Sequence, residues 1–178
     1  MRKLTNDELN RKSVAEFKAS GKSPFLIVLD NVRSLNNIGS IFRSADAFLV
    51  EAIWLCGITA TPPHRDIHKS ALGATESVDW RYFENTAAAI KELKQTGYVI
   101  VSVEQAAGSV PLDRFVTEPG KRYALVFGHE IKGVSEEVVA LSDACVEIPQ
   151  YGTKHSFNVA VSAGIVLWEL AGRTRSNR

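Results

Sequence analysis

Three stretches of this chain gather glycines and small polar groups at the ends of apolar runs, where a ligand site can be built. The richest, third along the chain, is Ile148-Pro149-Gln150-Tyr151-Gly152-Thr153-Lys154-His155-Ser156-Phe157-Asn158. The run that follows, Val159 to Leu170, is apolar on nearly every face and is expected to be a buried helix. Ser156 and Asn158 then sit at its mouth, where first-turn N–H groups lack partners. Ser156 reads most simply as the helix cap, which leaves the Asn158 amide for a ligand. Gly152 and Gly128 are expected to let the backbone approach that ligand closely.

The second stretch is Gly128-His129-Glu130-Ile131-Lys132-Gly133. It departs from the dinucleotide pattern G-x-G-x-x-G and has no Lys-Ser/Thr pair of a P-loop. A carboxylate at its centre would repel a pyrophosphate, which argues against NAD and ATP. Glu130 suits a cationic or hydroxyl-rich ligand, and a solvated loop acid is the plainer alternative. The first stretch along the chain is Asn31 to Gly39, leading into Ser40-Ile41-Phe42-Arg43. Asn36, Asn37 and Gly39 read as a turn and cap before a helix. The fork of donors on Arg43, one turn into that helix, could grip a phosphate or carboxylate. A plain surface arginine fits the same pattern.

The elements between these stretches alternate. Phe25–Asp30, Ala52–Cys56, Val78–Phe83, Tyr98–Glu104, Tyr123–Phe127 and Ala144–Ile148 read as strands. Helical spacing links Ile38, Ile41, Phe42, Ala45 and Phe48, and helices are expected over Thr86–Gln95 and Ser135–Leu141. The fold class is therefore α/β, a mostly parallel sheet flanked by helices. Ligands bind such sheets at the carboxyl ends of the strands, where all three stretches lie. Thr5 and Glu8 form a capping box with Leu4 and Leu9 as its staple, predicting one N-terminal helix that ends by Gly21. The expected organisation is a basic amphipathic extension over 1–22, one domain over 23–172 and a basic tail over 173–178.

Net charge is +1, but it is unevenly spread. Residues 1–22 carry six Lys/Arg against three acids, and residues 171–178 carry three Arg and no acid. The remaining body holds twelve basic and seventeen acidic residues. Basic ends on an acidic body fit a partner that is a polyanion, although charged ends also serve solubility. No apolar run approaches the ~20 residues of a membrane span, so no membrane partner is expected. Cys56 and Cys145 fall in strand-like runs and are expected to be buried reduced thiols, pointing to the cytoplasm.

Taken in order, the stretches resemble the three motifs of the SpoU branch of the SPOUT class, the TrmH-like RNA ribose 2'-O-methyltransferases. NNIGSIFRSADAF matches the first with Asn37, Gly39 and Arg43. LVFGHEIKG matches the second with Gly128, Glu130 and Gly133. IPQYGTKHSFNVAVSAG matches the third with Ile148, Pro149, Gly152, Ser156 and Asn158. The likeness runs from about Phe25 to Leu170. Departures are Ser34-Leu35 for a common Asp-Pro, Phe157 for Leu, and Ala160 for Ser. Family members often add an N-terminal RNA-binding domain, where this chain has only its capped helix.

The resemblance implies methyl transfer from S-adenosylmethionine, without metal, to a ribose 2'-hydroxyl of tRNA or rRNA. DNA lacks that hydroxyl and is not an expected partner. It implies a C-terminal deep trefoil knot and a homodimer whose site draws on both subunits. Carried over, Gly128, Ile148, Gln150, Gly152, Ser156 and Phe157 would hold the cofactor. Arg43, Asn37, Glu130, Ser156 and Asn158 would serve the chemistry. Guanidinium is protonated across ordinary pH, so Arg43 is read as a clamp on phosphate and developing alkoxide rather than as a base. Arg11, Lys12, Lys18, Arg173 and Arg175 would grip RNA.

His64 and His68 have the i, i+4 spacing of a zinc pair but no third ligand. A loop there with Arg65 and Lys69 against phosphates is preferred. Trp54, Cys56, Trp80 and Tyr82 read as core, and Trp168 as core or dimer interface. Base methylation on the same fold, or a binding module without activity, are the competing functions. The arginine motif and Ser-x-Asn favour ribose methylation.

Overall fold

The computed structural model describes residues 1–5 and 7–176, with side chains as far as Arg173. Its strands are Phe25–Asp30 (β1), Ala52–Cys56 (β2), Asp79–Phe83 (β3), Tyr98–Val103 (β4), Val110–Pro111 (β5), Arg122–Gly128 (β6) and Ala144–Glu147 (β7). Its helices are Val14–Ala19 (α1), Leu35–Ala47 (α2), Arg65–Ala71 (α3), Ala74–Ser77 (α4), Thr86–Gln95 (α5), Glu136–Leu141 (α6) and Val159–Ser176 (α7). The strands form one sheet in the order β3-β2-β1-β6-β4-β7-β5, with every pairing parallel.

β1 shows why the central strands are continuous apolar runs. Phe25, Ile27 and Leu29 face one core with residues of α1, α2, α3 and α7, while Leu26 and Val28 face a second core with α5 and α6. A strand covered on both faces has no solvent side for polar residues. Parallel pairing also brings all strand carboxyl ends to one edge. β6 lies between β1 and β4, and the register sets Asp30 opposite Gly128. The loops that leave β1 and β6 are therefore neighbours. β7 lies beside β4 with Val103 opposite Val146, which brings the third stretch to the same edge.

Buried Asp30 locks this edge. Its Oδ1 accepts hydrogen bonds from Thr86 Oγ1 at 2.6 Å and Asn31 Nδ2 at 2.8 Å, and its Oδ2 accepts from Ser135 N–H at 2.8 Å. A buried carboxylate needs such partners to offset lost hydration. Thr59 does the same for the loop after β1, donating to the Leu29 carbonyl and accepting from Val32 N–H.

Several expectations change. The N-terminal helix is split: a 3-10 turn over Asp7–Leu9 ends at Asn10, whose φ of 47° breaks the helical path. Thr5 N–H donates to Glu8, but the complete capping box belongs to Ser13 and Glu16 at the start of α1. Leu4 and Leu9 are exposed and make no staple. Phe17 of α1 is buried in the main core, so the extension is anchored to the body. The stretch after Pro63, expected as a loop, is helix α3, with Ile67 and Ala71 buried.

Of the aromatic residues read as core, Trp54 is buried and stacked on Phe83 at 4.4 Å. Trp80 is half-buried, and Tyr82 is exposed with its hydroxyl donating to the Gly57 carbonyl. Cys56 is buried, Cys145 half-buried, and both are free thiols. α7 is not buried all round. Ala163, Val166, Leu167 and Leu170 face the core, but Val161 is 50% exposed and Trp168 71%. Trp168 is thus not core within one chain. Among the described residues, no helix is long and apolar enough to cross a membrane.

Candidate functional site

At the carboxyl edge the three stretches meet through one carboxylate. Glu130 Oε1 accepts from Ser34 N–H at 2.8 Å and from Asn37 Nδ2 at 3.0 Å, and Oε2 accepts from Arg33 N–H at 3.0 Å. Asn158 Nδ2 donates to Asn37 Oδ1 at 3.0 Å. Asn37 and Glu130 are half-buried or bordered by half-buried groups, whereas Asn158 is exposed. Partial burial pushes the Glu130 carboxyl up. The N–H groups of Arg33, Glu130 itself and Ser34, with the Asn37 amide, outweigh that and hold it below its ordinary value. Glu130 is not a solvated loop acid; it stitches the second stretch to the first.

The same bonds correct two readings of caps. α2 begins at Leu35 with Ser34 as N-cap, so Asn36, Asn37 and Gly39 lie inside the helix rather than before it. Gly39 is needed for packing: a Cβ there would collide with the Ile67 carbonyl of α3. At α7 the cap is Asn158 rather than Ser156. Asn158 Oδ1 accepts from Ala160 N–H at 2.9 Å and Val161 N–H at 3.3 Å. Its amide thus serves the helix with one end and Asn37 with the other.

Beside this junction lies a cleft of about 560 Å³, between the ends of β4, β6 and β7. It lies in the size range of small-ligand and cofactor sites. Gly128, Glu130, Ile148, Gln150, Ser156, Phe157 and Asn158 line it. Gly152 does not; it is exposed with open space around it, so nothing within the fold itself requires a glycine there. Gly128 is required by its own loop, since a Cβ would strike the backbone of Gly133 and Val134.

Arg43 is elsewhere. Because α2 starts at Leu35, Arg43 stands roughly 12 Å along the axis from the first residue, and about 120° around the helix from Asn37. It is exposed and lines a separate groove of about 550 Å³ with Arg11, Lys12, Asp46, Leu72 and Glu76. Among the described residues, the side chains of Arg43, Arg11 and Lys12 make no hydrogen bond or ion pair, Lys12 acting on Glu16 only through its charge, while Asp46 is bonded to Ser77. Other expected RNA contacts are occupied. Arg173 donates to the carbonyls of Asp113 and Phe115 and pairs with Glu169, and Lys18 lies 3.7 Å from Asp79. The side chain of Arg175 is outside the described residues.

The His64 and His68 spacing has a structural origin. His64 is the N-cap of α3, its Nδ1 accepting from Asp66 N–H at 3.2 Å. Among the described residues, no group of three or more His, Cys, Asp or Glu is placed to hold a metal ion.

Two residues that the sequence does not single out also line the cleft. Glu104 Oε2 accepts from Val134 N–H at 2.9 Å, and Gln105 Nε2 donates to the His155 carbonyl at 2.7 Å. Their only sequence signal is an acid and an amide directly after a strand.

Comparison with known proteins follows this geometry. Residues 24–168 match the family model described as the SpoU rRNA Methylase family. A 23S rRNA (guanosine-2'-O-)-methyltransferase of Nitrosomonas europaea is 36% identical over 144 residues, which is 81% of this chain and 54% of that protein. The chain spans about half to two thirds of the length of the curated relatives it matches. The AdoMet-bound rRNA methyltransferase of Sinorhizobium meliloti superposes with a TM-score of 0.80 at 29% identity, covering 89% of this chain and 60% of that one. The A. aeolicus TrmH/SpoU tRNA modifying enzyme also gives 0.80, at 27% identity over 92% of this chain and 83% of that one. With its parallel sheet, its three-loop junction and a match across most of its length, this chain belongs to the SpoU rRNA methylase family.

Proposed function

We propose that this protein methylates a ribose 2'-hydroxyl of tRNA or rRNA, using S-adenosylmethionine. The observation that carries this reading is the junction of Asn37, Glu130 and Asn158 beside a cleft of cofactor size, in a chain of this family. The relatives named above act on rRNA or tRNA by their names, and one was solved with AdoMet bound.

The cleft suits that donor. Ile148, Phe157 and Phe127 offer apolar surface for a purine, and Gln150, Ser156 and the Gly128 backbone offer polar contacts. Glu104 and Glu147 supply negative charge for a cationic donor. When bound, S-adenosylmethionine supplies an electrophilic methyl on a sulfonium sulfur. The chain's task is to align the acceptor oxygen with that methyl and ease loss of its proton. Glu130 and Asn37 fix loop geometry. Among the described residues the Ser156 hydroxyl has no hydrogen-bond partner, and Ser156 lines the cleft, so it is assigned to orient substrate. The Arg43 guanidinium is assigned to stabilise the neighbouring phosphate and the developing alkoxide.

Arg43 lies outside its own chain's cleft, which favours a homodimer in which a second copy completes the site. The half-exposed apolar face of α7, with Val161 and Trp168, is the surface assigned to that contact. A deep trefoil knot at the C-terminal end is part of the same reading. It is supported by β6 inserting between β1 and β4, and β7 between β4 and β5. RNA would enter along the groove of Arg11, Lys12 and Arg43, a narrower footprint than both termini. RNA substrates and free thiols favour the cytoplasm.

The test is methyl transfer to total tRNA and rRNA, followed by nucleoside digestion and mass spectrometry. A 2'-O-methylnucleoside is expected. A base-methylated product, or a blank result on every RNA, would replace this reading by one of its two rivals.

A further inference from the structure

The third stretch, as the loop that leaves β7 (loop three), is almost untethered. Between β7 and the cap at Asn158 runs segment 149–157, which carries Gln150, Ser156 and Phe157 into the cleft and leaves Tyr151 to Phe157 exposed. Among the described residues, one hydrogen bond reaches this segment: Gln105 Nε2 to the His155 carbonyl, 2.7 Å. That carbonyl directly precedes Ser156.

Its neighbour Glu104 does the matching work on the second stretch, the loop that leaves β6 (loop two). Glu104 Oε2 accepts from Val134 N–H at 2.9 Å and Oε1 from Gln105 N–H at 2.9 Å. Gly133, at φ +68°, has no room for a Cβ because the Glu104 carboxylate occupies that space. The His129–Gly133 bridge then closes the loop whose Glu130 reaches α2. Glu104 and Gln105 are consecutive residues, and one holds each facing wall of the cleft. The carboxylate also accepts the Gln105 N–H, so it orients the residue that holds the other wall.

We propose that Glu104 and Gln105 are positioning residues that set the spacing of the two cleft walls, and that Gln105 in particular pre-organises loop three for the methyl donor. This rests on the methyl-donor reading of the cleft. A tether that orders a binding loop beforehand lowers the ordering cost at binding, so it should act on donor affinity more than on the chemical step. Gln105 is exposed and its bond serves no core element, so global stability should hardly notice its loss.

The test compares wild type with Gln105→Leu and with Gln105→Glu, which keeps shape but cannot donate to a carbonyl. S-adenosylmethionine binding by calorimetry should weaken by about tenfold in both, with kcat at saturating donor and the thermal midpoint little changed. Trypsin cleavage after exposed Lys154, measured without donor, should become several-fold faster in both. A Gln105→Glu protein with wild-type donor affinity and wild-type cleavage at Lys154 overturns the proposal. Wild type that binds no S-adenosylmethionine overturns the methyl-donor reading instead, and the cleavage rates then still decide whether Gln105 tethers the loop.

Discussion

The loop junction and the Arg43 groove hold the chain's most telling polar residues, and they are satisfied in opposite ways. At the junction, each oxygen of Glu130 and both ends of the Asn158 amide have partners within the chain. In the groove, the side chains of Arg43, Arg11 and Lys12 are exposed and make no hydrogen bond or ion pair among the described residues. Polar groups taken out of water must find partners within the fold, whereas exposed cations are held only by water and can exchange it for an anion. The junction is therefore framework, and the groove is where a polyanion has something to gain.

Arg43→Ala should separate the two most sharply. Loss of a donor to developing negative charge costs on the order of 3 kcal/mol, roughly a hundredfold or more in turnover. Donor binding and thermal midpoint should stay at wild-type values. Full activity in this variant would remove Arg43 from the mechanism.

Glu130→Gln should do the reverse. Its amide turns one donor group toward N–H groups that need an acceptor, at a cost of about 2 kcal/mol and a midpoint lower by roughly 6 °C. If Glu130→Gln melts like wild type, the junction is not framework.

Protonation should mimic that substitution. The folded Glu130 carboxyl is held below its ordinary value of 4.5, so its contribution is complete above that pH. It is lost as pH falls through the depressed folded value. The stability gap between wild type and Glu130→Gln should be flat near neutrality and close in acid. A gap unchanged in acid would mean the carboxylate charge is not what holds the loops.

A smaller effect is expected from Arg11→Ala with Lys12→Ala. RNA affinity should fall and its salt dependence should flatten by about two counterions, with melting unaffected. An unchanged salt slope would place the RNA elsewhere. Smaller still, Cys56, whose thiol is pushed up to about 12 by burial and by nearby Asp30, should resist iodoacetamide in the native protein at neutral pH.

Much of this was legible in the order of residues. The positions of β1, β2, β4 and β6 follow from their buried apolar runs, whereas the two-residue β5, partly exposed, has no such signal, and the motif residues Asn37, Glu130 and Asn158 do converge. The illegible parts depend on tertiary context. Helix α3 hides behind Pro62-Pro63 because only Ile67 and Ala71 mark its buried side. The break at Asn10 is a backbone φ, which a capping pattern at Thr5 and Glu8 does not encode. The distance of Arg43 from the loop is set by where α2 begins, at Leu35 rather than after Gly39, and a turn-rich run such as Asn36, Asn37 and Gly39 does not mark that start. Glu104 and Gln105 act on groups far away in sequence, at Val134 and His155, and no local pattern announces such partners.

The most direct measurement is a crystal structure of the protein with S-adenosylmethionine. Its sulfonium methyl is expected in the cleft bounded by Gly128, Ile148 and Phe157, with an Arg43 guanidinium from a second copy turned toward the same opening. Density for the donor in any other place, or an Arg43 directed only into solvent throughout the assembly, would contradict that picture.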